Sequence, residues 1–358
     1  VLYRFDGYSL LAYVVETCMS LEGSPISPFF GLFADEFRDA ISIQDLRFAL
    51  QAEQLFTGHA LLCAYEALNG FSGDLLLLCG DVPLLQKKTL RALIDHHRQH
   101  AACVTILTAD MDNPAGYGRI IRGVEGVDRI VEEKDATESE RQVREINTGI
   151  YLFRTPQVFT LLRGVDNQNA QGEYYLTDVV AAARQAGELV EALLIDHAEE
   201  AMGINDQVQL AEAGRIMRQR INDAHQRAGV SLIDPAATYI DADVTIGAGT
   251  LVHPGVHLRG RTRIGSGCEI EPGAVVTDCT IGDNVHIKPG SVLSESTVGN
   301  DCAIGPMAHL RPGTILDGNN KIGNFVETKK AVMGEKSQAS HLTYIGDASL
   351  GKNVNVGC

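Results

Sequence analysis

The sequence is poor in aromatic residues: its 358 residues include no tryptophan, and phenylalanine and tyrosine make up only 6%. A core must therefore consist mainly of aliphatic side chains. The 36 glycines indicate many tight turns, because glycine adopts backbone conformations that other residues avoid. Together these features favour a solenoid in part of the chain. Hydrophobic residues make up 45% and charged residues 21%, which is typical of a folded globular protein.

Positive charge is also scarce. Lysine and arginine total 30 against 46 aspartate and glutamate residues, which gives a net charge of -16. A nucleic-acid backbone or an anionic bilayer would be repelled, so we expect no nucleic-acid partner and no membrane association, while local basic pockets for small anions remain open. The sequence has no run of 18 apolar residues and no basic start typical of a signal peptide. We therefore expect a cytoplasmic protein.

The eight cysteines are dispersed, with no CxxC pair and no cysteine and histidine cluster at zinc-binding spacing. This distribution predicts buried or free thiols in a reducing compartment, without disulfides or a structural metal. They are Cys18, Cys63, Cys79, Cys103, Cys268, Cys279, Cys302 and Cys358.

An aliphatic repeat with a period of six begins at Ile240. Neither a helix nor a simple strand has this period. A glycine often follows the aliphatic residue, as expected where a short strand points one side chain inward and then turns a corner. Three hexads make one triangular coil, so the pattern predicts about seven coils of parallel β-helix. The positions, with single-residue slips, are Ile240, Ile246, Val252, Leu258, Ile264, Ile270, Val276, Ile281, Ile287, Leu293, Val298, Ile304, Leu310, Leu316, Ile322, Thr328, Met333, Ala339, Ile345, Leu350 and Val356.

The first half of the chain alternates apolar runs with helical segments, which predicts a doubly wound, Rossmann-like α/β domain. The run at residues 74–81 ends in Gly80 and Asp81 and predicts a buried parallel strand with functional groups at its carboxyl end. Helical spacing over residues 205–228, ended by Gly229, predicts an arm about 35 Å long. The other expected strands are residues 102–108 and 149–153, and the other expected helices are residues 88–100 and 177–186.

Nine motifs occur in a fixed order on this framework. In the first half they are LQAEQLFTGHA (50–60), GDVPL (80–84), NPAGYGRI (113–120), VEEKDAT (131–137), EINTGI (145–150) and NAQGEYYLTD (169–178); in the second they are LRPG (310–313), GNFVETKKA (323–331) and HLTYIGDA (341–348). With these motifs the chain resembles the bifunctional bacterial N-acetylglucosamine-1-phosphate uridylyltransferase and glucosamine-1-phosphate N-acetyltransferase family, from about residue 45 onward.

The resemblance implies three parts. Residues 1–204 would form a Rossmann-like uridylyltransferase domain, residues 205–229 a linker helix, and residues 230–358 a left-handed parallel β-helix with acetyltransferase activity. The family opens with a glycine-rich phosphate-binding loop and ends with further coils that bind acetyl-CoA. This chain resembles the family without either segment, so we expect a sequence truncated at both ends and nearly inactive in uridylyl transfer. Phe56 also stands where the family has glycine, beside the expected uracil site.

For the first activity, the resemblance implies Mg²⁺-dependent uridylyl transfer from UTP to N-acetylglucosamine 1-phosphate with release of pyrophosphate. Asp81 and Asn205 would bind the metal, since Mg²⁺ favours a few protein oxygens together with phosphates and water. Without the resemblance, a Gly-Asp pair after a strand is more often a simple turn. The substrate-binding residues carried over are Gln51, Thr57, Cys79, Gly80, Asp81, Gly118, Glu132, Asn147 and Asn205.

For the second activity, the resemblance implies N-acetylation of glucosamine 1-phosphate by acetyl-CoA. An ammonium group cannot attack a thioester, so a general base is needed, and histidine is the usual one. His341 stands where the family keeps that base. Arg311 and Lys329 would bind the sugar phosphate, and Tyr344 and Asn355 would hydrogen-bond the sugar. The resemblance also implies a homotrimer with acetyltransferase sites between subunits.

Two other functions remain open at this point. The chain could be a catalytically impaired trimeric scaffold or sugar-nucleotide-binding fragment, or a single-function sugar-1-phosphate nucleotidylyltransferase with a hexapeptide tail. The motif HLTYIGDA with Arg311 and Lys329 argues against the latter, because an idle tail needs neither a base nor a phosphate pocket.

Overall fold

The computed structural model of the chain describes residues 3–5, 7–21, 56–65, 68, 70–124, 126–164 and 175–357. The chain forms two compact units. The α/β unit comprises Val1–Tyr3 and Ser9–Leu210, and the solenoid unit comprises Arg4–Tyr8 and Ala211–Cys358.

The described part of the α/β unit contains five α-helices and a sheet of six strands. Two short strands come first in the chain: β1 (Arg4–Phe5), which is assigned to the solenoid unit, and β2 (Tyr8–Ser9), whose two residues are divided between the units. The helices are α1 (Leu10–Met19), α2 (Phe56–Cys63), α3 (Lys87–His100), α4 (Gln157–Leu162) and α5 (Asp178–Gln185), with short 3-10 helices at Glu140–Gln142 and Ala198–Ala201. The sheet strands are β3 (Asp74–Leu77), β4 (Val104–Asp110), β5 (Arg119–Gly123), β6 (Gly126–Val131), β7 (Glu145–Arg154) and β8 (Val190–Leu194).

The sheet is mixed, and β7 is its central strand. The strand order is β6-β5-β7-β4-β8, and β3 also pairs with β7. Strand β7 is antiparallel to β3, β4 and β5, whereas β4 and β8 are parallel. Strands β5 and β6 form an antiparallel pair. The sequence-based prediction of a Rossmann-like α/β domain is confirmed, with this antiparallel strand in its centre.

The prediction of a buried parallel strand at residues 74–81 is wrong for the residues that the structure describes. Strand β3 ends at Leu77, is half-buried along its length and runs antiparallel to β7, with Leu75 opposite Phe153. An apolar run indicates burial, but strand direction depends on a partner far away in the sequence. The other four expected strands and helices of this half are confirmed to within a few residues at their ends.

The solenoid unit consists of short strands that stack into three parallel sheets. One sheet has the order β10-β13-β16-β19-β22-β25-β28, the second β11-β14-β17-β20-β23-β26-β29 and the third β30-β27-β24-β21-β18-β15-β12-β9. A 3-10 helix at Pro235–Ala237 lies between β9 and β10. The strands are β9 (Ser231–Leu232), β10 (Tyr239–Ile240), β11 (Thr245–Ile246), β12 (Leu251–Val252), β13 (His257–Arg259), β14 (Arg263–Ile264), β15 (Glu269–Ile270), β16 (Val275–Thr277), β17 (Thr280–Ile281), β18 (His286–Ile287), β19 (Val292–Ser294), β20 (Thr297–Val298), β21 (Ala303–Ile304), β22 (His309–Leu310), β23 (Ile315–Leu316), β24 (Lys321–Asn324), β25 (Glu327–Lys329), β26 (Val332–Met333), β27 (Gln338–His341), β28 (Tyr344–Gly346), β29 (Ser349–Leu350) and β30 (Asn355–Val356).

The predicted repeat positions are the ones that fill the solenoid core, which confirms the parallel β-helix. All of them from Ile240 to Ile345 are buried, and Leu350 and Val356 are half-buried. The single-residue slips all fall at one corner, between the strands of the first and second sheets. At these shorter corners a residue other than glycine adopts left-handed backbone: Asp278, Glu295, Lys330 and Asp347 have φ of 53°, 43°, 46° and 48°.

The helix expected at residues 205–228 is present as α6 (Gln207–Arg227). In the solenoid unit its buried Asn222 donates hydrogen bonds from Nδ2 to the carbonyl oxygens of Pro235 (2.7 Å) and Thr238 (3.1 Å). Ile221 packs against the solenoid core. Gly229, with φ of +94°, follows the helix in left-handed backbone, a common way to end a helix.

Two further expectations concern the whole chain. Within the described ranges, no helix is both long enough and apolar enough to span a bilayer. The seven described cysteines are all free, which confirms the prediction of free thiols for them, and Cys358 lies outside the described residues.

Candidate functional site

A cavity of about 260 Å³ lies in the α/β unit at the carboxyl end of β3. It brings together three of the residues singled out from the sequence, Cys79, Asp81 and Asn205. The remaining lining residues come from the same motifs, from the segment before α6 or, for Gln209, from the first turn of α6. They are Val82, Ala115, Gly116, Tyr117, Thr148, Ala201, Gly203 and Gln209.

Two backbone contacts hold the metal-ligand candidates at this cavity. The amide of Ile204 donates to the carbonyl oxygen of Asp81 at 3.0 Å, which fixes the two segments side by side. The amide of Asn205 donates to Oε1 of Gln209 at 2.6 Å. A Cβ atom on Gly203 would lie 3.8 Å from Asn205 Nδ2 and 3.9 Å from Asp81 Oδ2. The Asp81 carboxylate and the Asn205 amide therefore flank the same glycine.

A buried carboxylate anchors this arrangement to the start of α3. Glu200, which is 1% exposed, accepts hydrogen bonds from the Gln86 amide (3.1 Å), the Gln86 side chain (2.9 Å) and the Thr89 hydroxyl (2.6 Å). A carboxylate at a helix N-terminus satisfies amides that have no partner within the helix and is stabilised by the helix dipole. Glu200 thereby fixes the segment that continues to Gly203 and Asn205.

The Cys79 thiol forms part of the cavity wall. It donates to the carbonyl oxygen of Gly149 at 3.6 Å, and burial, together with the Asp81 charge, raises the pKa of this thiol to about 12. Gly149 has φ of +77°, and a Cβ there would lie 2.9 Å from the sulfur. Glycine is therefore required at this position, both by its backbone and by the space available. The neutral thiol is a packing and hydrogen-bonding group rather than a nucleophile.

A second group of expected residues lies next to the cavity wall and consists of Gly118, Glu132 and Asn147. Gly118 follows Tyr117 in the sequence and Asn147 precedes Thr148, and both of these neighbours line the cavity. The Asn147 amide donates to the Gly118 carbonyl oxygen at 2.8 Å. A Cβ on Gly118 would lie 3.4 Å from Glu132 Oε2 and 3.6 Å from the Asn147 Cβ. Because Gly118 has no side chain, the Glu132 carboxylate and the Asn147 side-chain amide are accessible to a ligand above the glycine.

Both polar side chains of this group are held in place. Asn147 Oδ1 accepts from the Tyr151 hydroxyl (2.9 Å) and the Gly149 amide (3.1 Å), and Glu132 Oε1 accepts from the Thr177 hydroxyl (3.1 Å). Burial, reinforced by the Glu132 charge, raises the pKa of Tyr151 well above its usual value. Tyr151 therefore stays a hydrogen-bond donor, which orients Asn147 with its amide nitrogen free to face a ligand.

An ion pair that was not predicted from the sequence shapes the loop at Gly116 and Tyr117. The Arg119 guanidinium, 1% exposed, donates to Glu133 Oε2 at 2.7 Å and to the Tyr117 carbonyl oxygen. Glu133 Oε2 also accepts from the Gly116 amide at 3.3 Å. Both residues lie within quoted motifs, but the antiparallel pairing of Arg119 with Val131 is what brings them together.

Six expected uridylyltransferase residues are not among the cavity-lining residues. Three of them form the group of Gly118, Glu132 and Asn147 described above, and the other three are Thr57, Gly80 and Gln51. Thr57 is exposed on α2, and no described contact joins it to the cavity. Gly80 lies in the turn between Cys79 and Asp81. Gln51 lies outside the described residues, as does the side chain of Phe56.

The acetyltransferase candidates lie on the surface of neighbouring coils of the solenoid. Leu310 pairs with Thr328, so Arg311 and Lys329 follow one another on adjacent strands, and Lys329 pairs in turn with Gly346. Arg311 Nη1 forms an ion pair with Glu327 Oε1 at 2.8 Å. Among the described residues the Lys329 ammonium has no side-chain partner, so its charge is available to an anion.

Tyr344 leans along its strand toward this basic pair. A Cβ on Gly346 would overlap the Tyr344 hydroxyl and ring, so the ring covers Gly346, the residue paired with Lys329. Strands of a sheet lie about 4.8 Å apart. The Tyr344 hydroxyl, Lys329 and Arg311 therefore form a row across three coils.

His341 and Asn355 belong to a different sheet. His341 ends β27 and pairs with Asn324, and Asn355 in β30 pairs with Gln338. Both are exposed. The corner at Leu342, with φ of 47°, separates His341 from Tyr344. The structure thus brings Arg311, Lys329 and Tyr344 together on one face and leaves His341 and Asn355 beyond its edge.

Comparisons with known proteins agree with both halves of this description. Residues 5–199 match the Nucleotidyl transferase family model, and residues 236–337 match the GMPPB C-terminal domain model. The Bifunctional protein GlmU of Syntrophotalea carbinolica is 57% identical over 358 residues, covering 100% of this chain and 77% of the relative. The chain belongs to the GlmU family.

Other GlmU proteins are nearly as similar. That of Geotalea uraniireducens is 51% identical over 360 residues, covering 100% of this chain and 79% of its own length, and that of a Geobacillus species is 46% identical over 359 residues, covering 100% and 78%. Family membership confirms the prediction of a bifunctional transferase of nucleotide-sugar synthesis, with a nucleotidyltransferase domain and a hexapeptide solenoid.

Proposed function

We propose that the cavity of the α/β unit is the site of uridylyl transfer from UTP to N-acetylglucosamine 1-phosphate, and that the solenoid acetylates glucosamine 1-phosphate. The domains would be those expected from the sequence, residues 1–204 for the first reaction and 230–358 for the second, with the helix at 205–229 between them. The observation that carries the first assignment is the convergence of Asp81 and Asn205 at one glycine, beside the group of Gly118, Glu132 and Asn147.

The donor set at Gly203 fits magnesium. Asp81 offers a carboxylate oxygen, and Asn205 offers its amide oxygen once the side-chain amide turns, since Nδ2 is the atom nearer Gly203. Gly203 itself leaves space that a side chain would fill. Mg²⁺ typically takes only a few oxygen ligands from the protein, because it retains water molecules and also binds phosphate oxygens of the substrate. Bound by Asp81 and Asn205, the ion would offset the negative charge of the triphosphate.

The sugar and the base are assigned to different parts of the site. Glu132 and Asn147 hydrogen-bond the sugar hydroxyls and the acetamido group above Gly118, while Gly80 and Cys79 line the approach of the nucleotide. Gln51 and Thr57 contact the uracil. A phosphate oxygen of the sugar then attacks the α-phosphorus of UTP and pyrophosphate leaves, so the residues act mainly by positioning and charge stabilisation.

Replacement of Asp81 tests this assignment. The assay uses a chain that carries the family's glycine-rich phosphate-binding loop together with this sequence. Asp81→Asn preserves the shape of the side chain and removes its charge, so Mg²⁺-dependent pyrophosphate release should fall by about 100-fold or more, a loss typical of removing one charge-stabilising group. Asp112→Asn is the control, because this carboxylate is 95% exposed and lies outside the cavity lining. Equal rates in both variants, or equal losses, would contradict the role of Asp81.

In the solenoid, we assign Arg311 and Lys329 to the phosphate of glucosamine 1-phosphate and Tyr344 and Asn355 to its sugar. His341 accepts a proton from the amine, the amine nitrogen attacks the thioester carbonyl of acetyl-CoA, and coenzyme A leaves as the thiol. The free charge of Lys329 beside Arg311 supports the phosphate assignment, because charge-assisted hydrogen bonds to phosphate are short and strong.

Lys329→Met tests the phosphate assignment. Loss of one hydrogen bond to a charged group is worth about 1.5–3 kcal/mol, so KM for glucosamine 1-phosphate should rise roughly 10- to 100-fold, with a smaller change in kcat. Lys352→Met provides the matched control, since Lys352 already pairs with Glu335 at 3.2 Å. An unchanged KM in Lys329→Met would remove Lys329 from the site.

We also propose that the protein forms a homotrimer through the solenoid. Met307, Phe325 and Leu342 follow one another at one corner of successive coils and are 54%, 59% and 66% exposed in the single chain. Exposed apolar rows of this kind typically mark contact surfaces. Phe325→Glu should convert a trimer to monomers in light scattering, whereas Val124→Glu, at a fully exposed position of the α/β unit, should not.

A further inference from the structure

A second cluster of ligating side chains lies in the α/β unit, outside the cavity lining. It consists of His96 and His100 on α3 and Glu191 on β8, and its three ligand atoms lie within 4.8 Å of one another. In the described part of the chain it is the one group of three or more such side chains this close together. We propose that it binds a divalent transition-metal ion of the zinc type.

The spacing of the two histidines places them on one face of α3. Residues four apart follow one another on successive turns, and the two imidazole centroids are 4.2 Å apart. Paired histidines at this spacing are a common source of two zinc ligands. His97 between them points elsewhere: it is 1% exposed and its Nδ1 lies 2.7 Å from the Thr105 hydroxyl.

A hydrogen bond fixes His100 in the tautomer that a metal ligand needs. Its Nδ1 lies 2.9 Å from the carbonyl oxygen of His96, and a carbonyl can only accept, so Nδ1 carries the proton. Nε2 is therefore the basic nitrogen available to a metal. Donation from the second ring nitrogen to a backbone carbonyl is the usual way in which proteins hold a metal-binding histidine.

Glu191 supplies the third ligand from a different element. Its Oε2 lies 3.2 Å from His96 Nε2. Ligands of a tetrahedral zinc ion at about 2.0–2.2 Å would lie roughly 3.4 Å apart, so this pair has the required spacing and His100 needs only a side-chain rotation. Two imidazoles and one carboxylate suit zinc and similar ions better than magnesium, and they leave a coordination position for water.

The local charges also favour a cation. His100 lies in the last turn of α3 and His96 immediately before that turn, where the unpaired carbonyls give the helix end partial negative charge. Arg122 is the neighbouring cation, since the Glu191 charge acts on it, but its guanidinium binds Glu145 through two hydrogen bonds of 2.6 and 2.7 Å. A bound ion would link the end of α3 to β8.

Titration with Zn²⁺ tests the proposal directly. Metal-free protein should compete with a chromogenic chelator for one equivalent of Zn²⁺. His96→Gln, His100→Gln and Glu191→Gln should each weaken binding by about tenfold or more, the scale on which a metal site responds to loss of a supporting group. His197→Gln is the control, because His197 also lies 3.7 Å from a carboxylate, Glu199, but lies outside the three-ligand cluster.

A second readout separates this site from the thiols and from the proposed magnesium site. With Co²⁺ in place of Zn²⁺, imidazole and carboxylate ligands give no strong thiolate charge-transfer band. Asp81→Asn should bind Zn²⁺ like the parent protein. No zinc binding by the folded parent, equal binding by a folded His96→Gln/His100→Gln variant, or a strong thiolate band with Co²⁺ would each overturn the proposal.

Discussion

The two units of this chain build their cores by different rules. In the solenoid unit a residue such as Ile287 packs above the equivalent Ile270 and below Ile304, so every coil repeats the contacts of the one before. In the α/β unit Leu152 of β7 faces Leu76 on one side and Thr105 on the other, and neither partner is at a repeated distance in the sequence. Periodic contacts can be recognised in a sequence, whereas unique long-range pairings cannot.

The candidate sites of the two units also differ, because one is a cavity and the other an exposed surface. The α/β site surrounds a cavity, and its polar groups are held by buried partners such as Glu200 and Tyr151. The candidate residues of the solenoid, by contrast, lie on strand faces and corners, with Tyr344 59% exposed. A single solenoid supplies a surface rather than an enclosed pocket, which is consistent with the proposed contribution of neighbouring subunits.

One expected effect concerns the reactivity of the buried thiols in the two units. Burial raises the pKa values of Cys103 in the α/β unit and of Cys279 and Cys302 in the solenoid to about 11 each. Below that pH the unreactive neutral thiol predominates. At pH 8 alkylation of these thiols should therefore be at least about tenfold slower than in the urea-unfolded chain, and should accelerate as the pH approaches 11.

Mass spectrometry of peptides after timed alkylation measures each thiol separately. Equal protection of all three is expected in the native protein, despite their different surroundings. Rapid labelling of Cys279 and Cys302 at pH 8, with Cys103 still protected, would show that the solenoid opens more readily than its closely packed core implies.

Core truncations should separate the two kinds of packing. Leu310→Ala in the solenoid and Leu93→Ala in α3 each remove a fully buried side chain and should each cost about 2–5 kcal/mol. In a solenoid each coil contacts mainly its neighbours. Leu310→Ala should therefore increase hydrogen exchange near Cys302 more than near Ile240, whereas Leu93→Ala should loosen the α/β sheet as a whole.

Peptide-resolved hydrogen exchange of the two variants decides this point. Uniform acceleration across all coils in Leu310→Ala would show that the solenoid unfolds as one cooperative body, and the contrast between the units would fail.

The sequence predicted the solenoid almost completely, because one rule repeats in each coil. It did not predict the direction of β3, since an apolar run looks the same beside a parallel or an antiparallel neighbour. At the α/β site the motifs contained Asp81, Asn205 and the Gly118 group, but the Arg119 to Glu133 pair follows from the β5 to β6 register. His96 and His100 show helical spacing in the sequence, whereas Glu191 lies 95 residues from His96.

The smallest expected effects lie at the solenoid corners. Gly249 has φ of +75°, and a Cβ there would meet no atom closer than 3.9 Å, so Gly249→Ala should cost about 1–2 kcal/mol through backbone strain alone. Glu295 adopts left-handed backbone with φ of 43°, and Glu295→Gly should stabilise by roughly 0.5 kcal/mol, because relief of strain is partly offset by the greater freedom of glycine in the unfolded chain. Denaturant unfolding of both variants measures the change in the free energy of unfolding, which should decrease for Gly249→Ala and increase for Glu295→Gly. Stabilisation by Gly249→Ala would contradict the claim that left-handed backbone at this corner strains any residue other than glycine.

The central claim is that two separate sites perform two separate reactions, and reciprocal variants test it most directly. Uridylyl transfer and acetyl transfer should be assayed on the same preparations of Asp81→Asn and His341→Asn, in a chain that carries the family's phosphate-binding loop and acetyl-CoA-binding coils together with this sequence. Each variant is first confirmed to be folded and to have the parent's oligomeric state. The account predicts that Asp81→Asn loses uridylyl transfer by about 100-fold or more and keeps acetylation, while His341→Asn loses acetylation by roughly 100- to 10,000-fold and keeps uridylyl transfer. Parallel loss of both activities in either variant would contradict it.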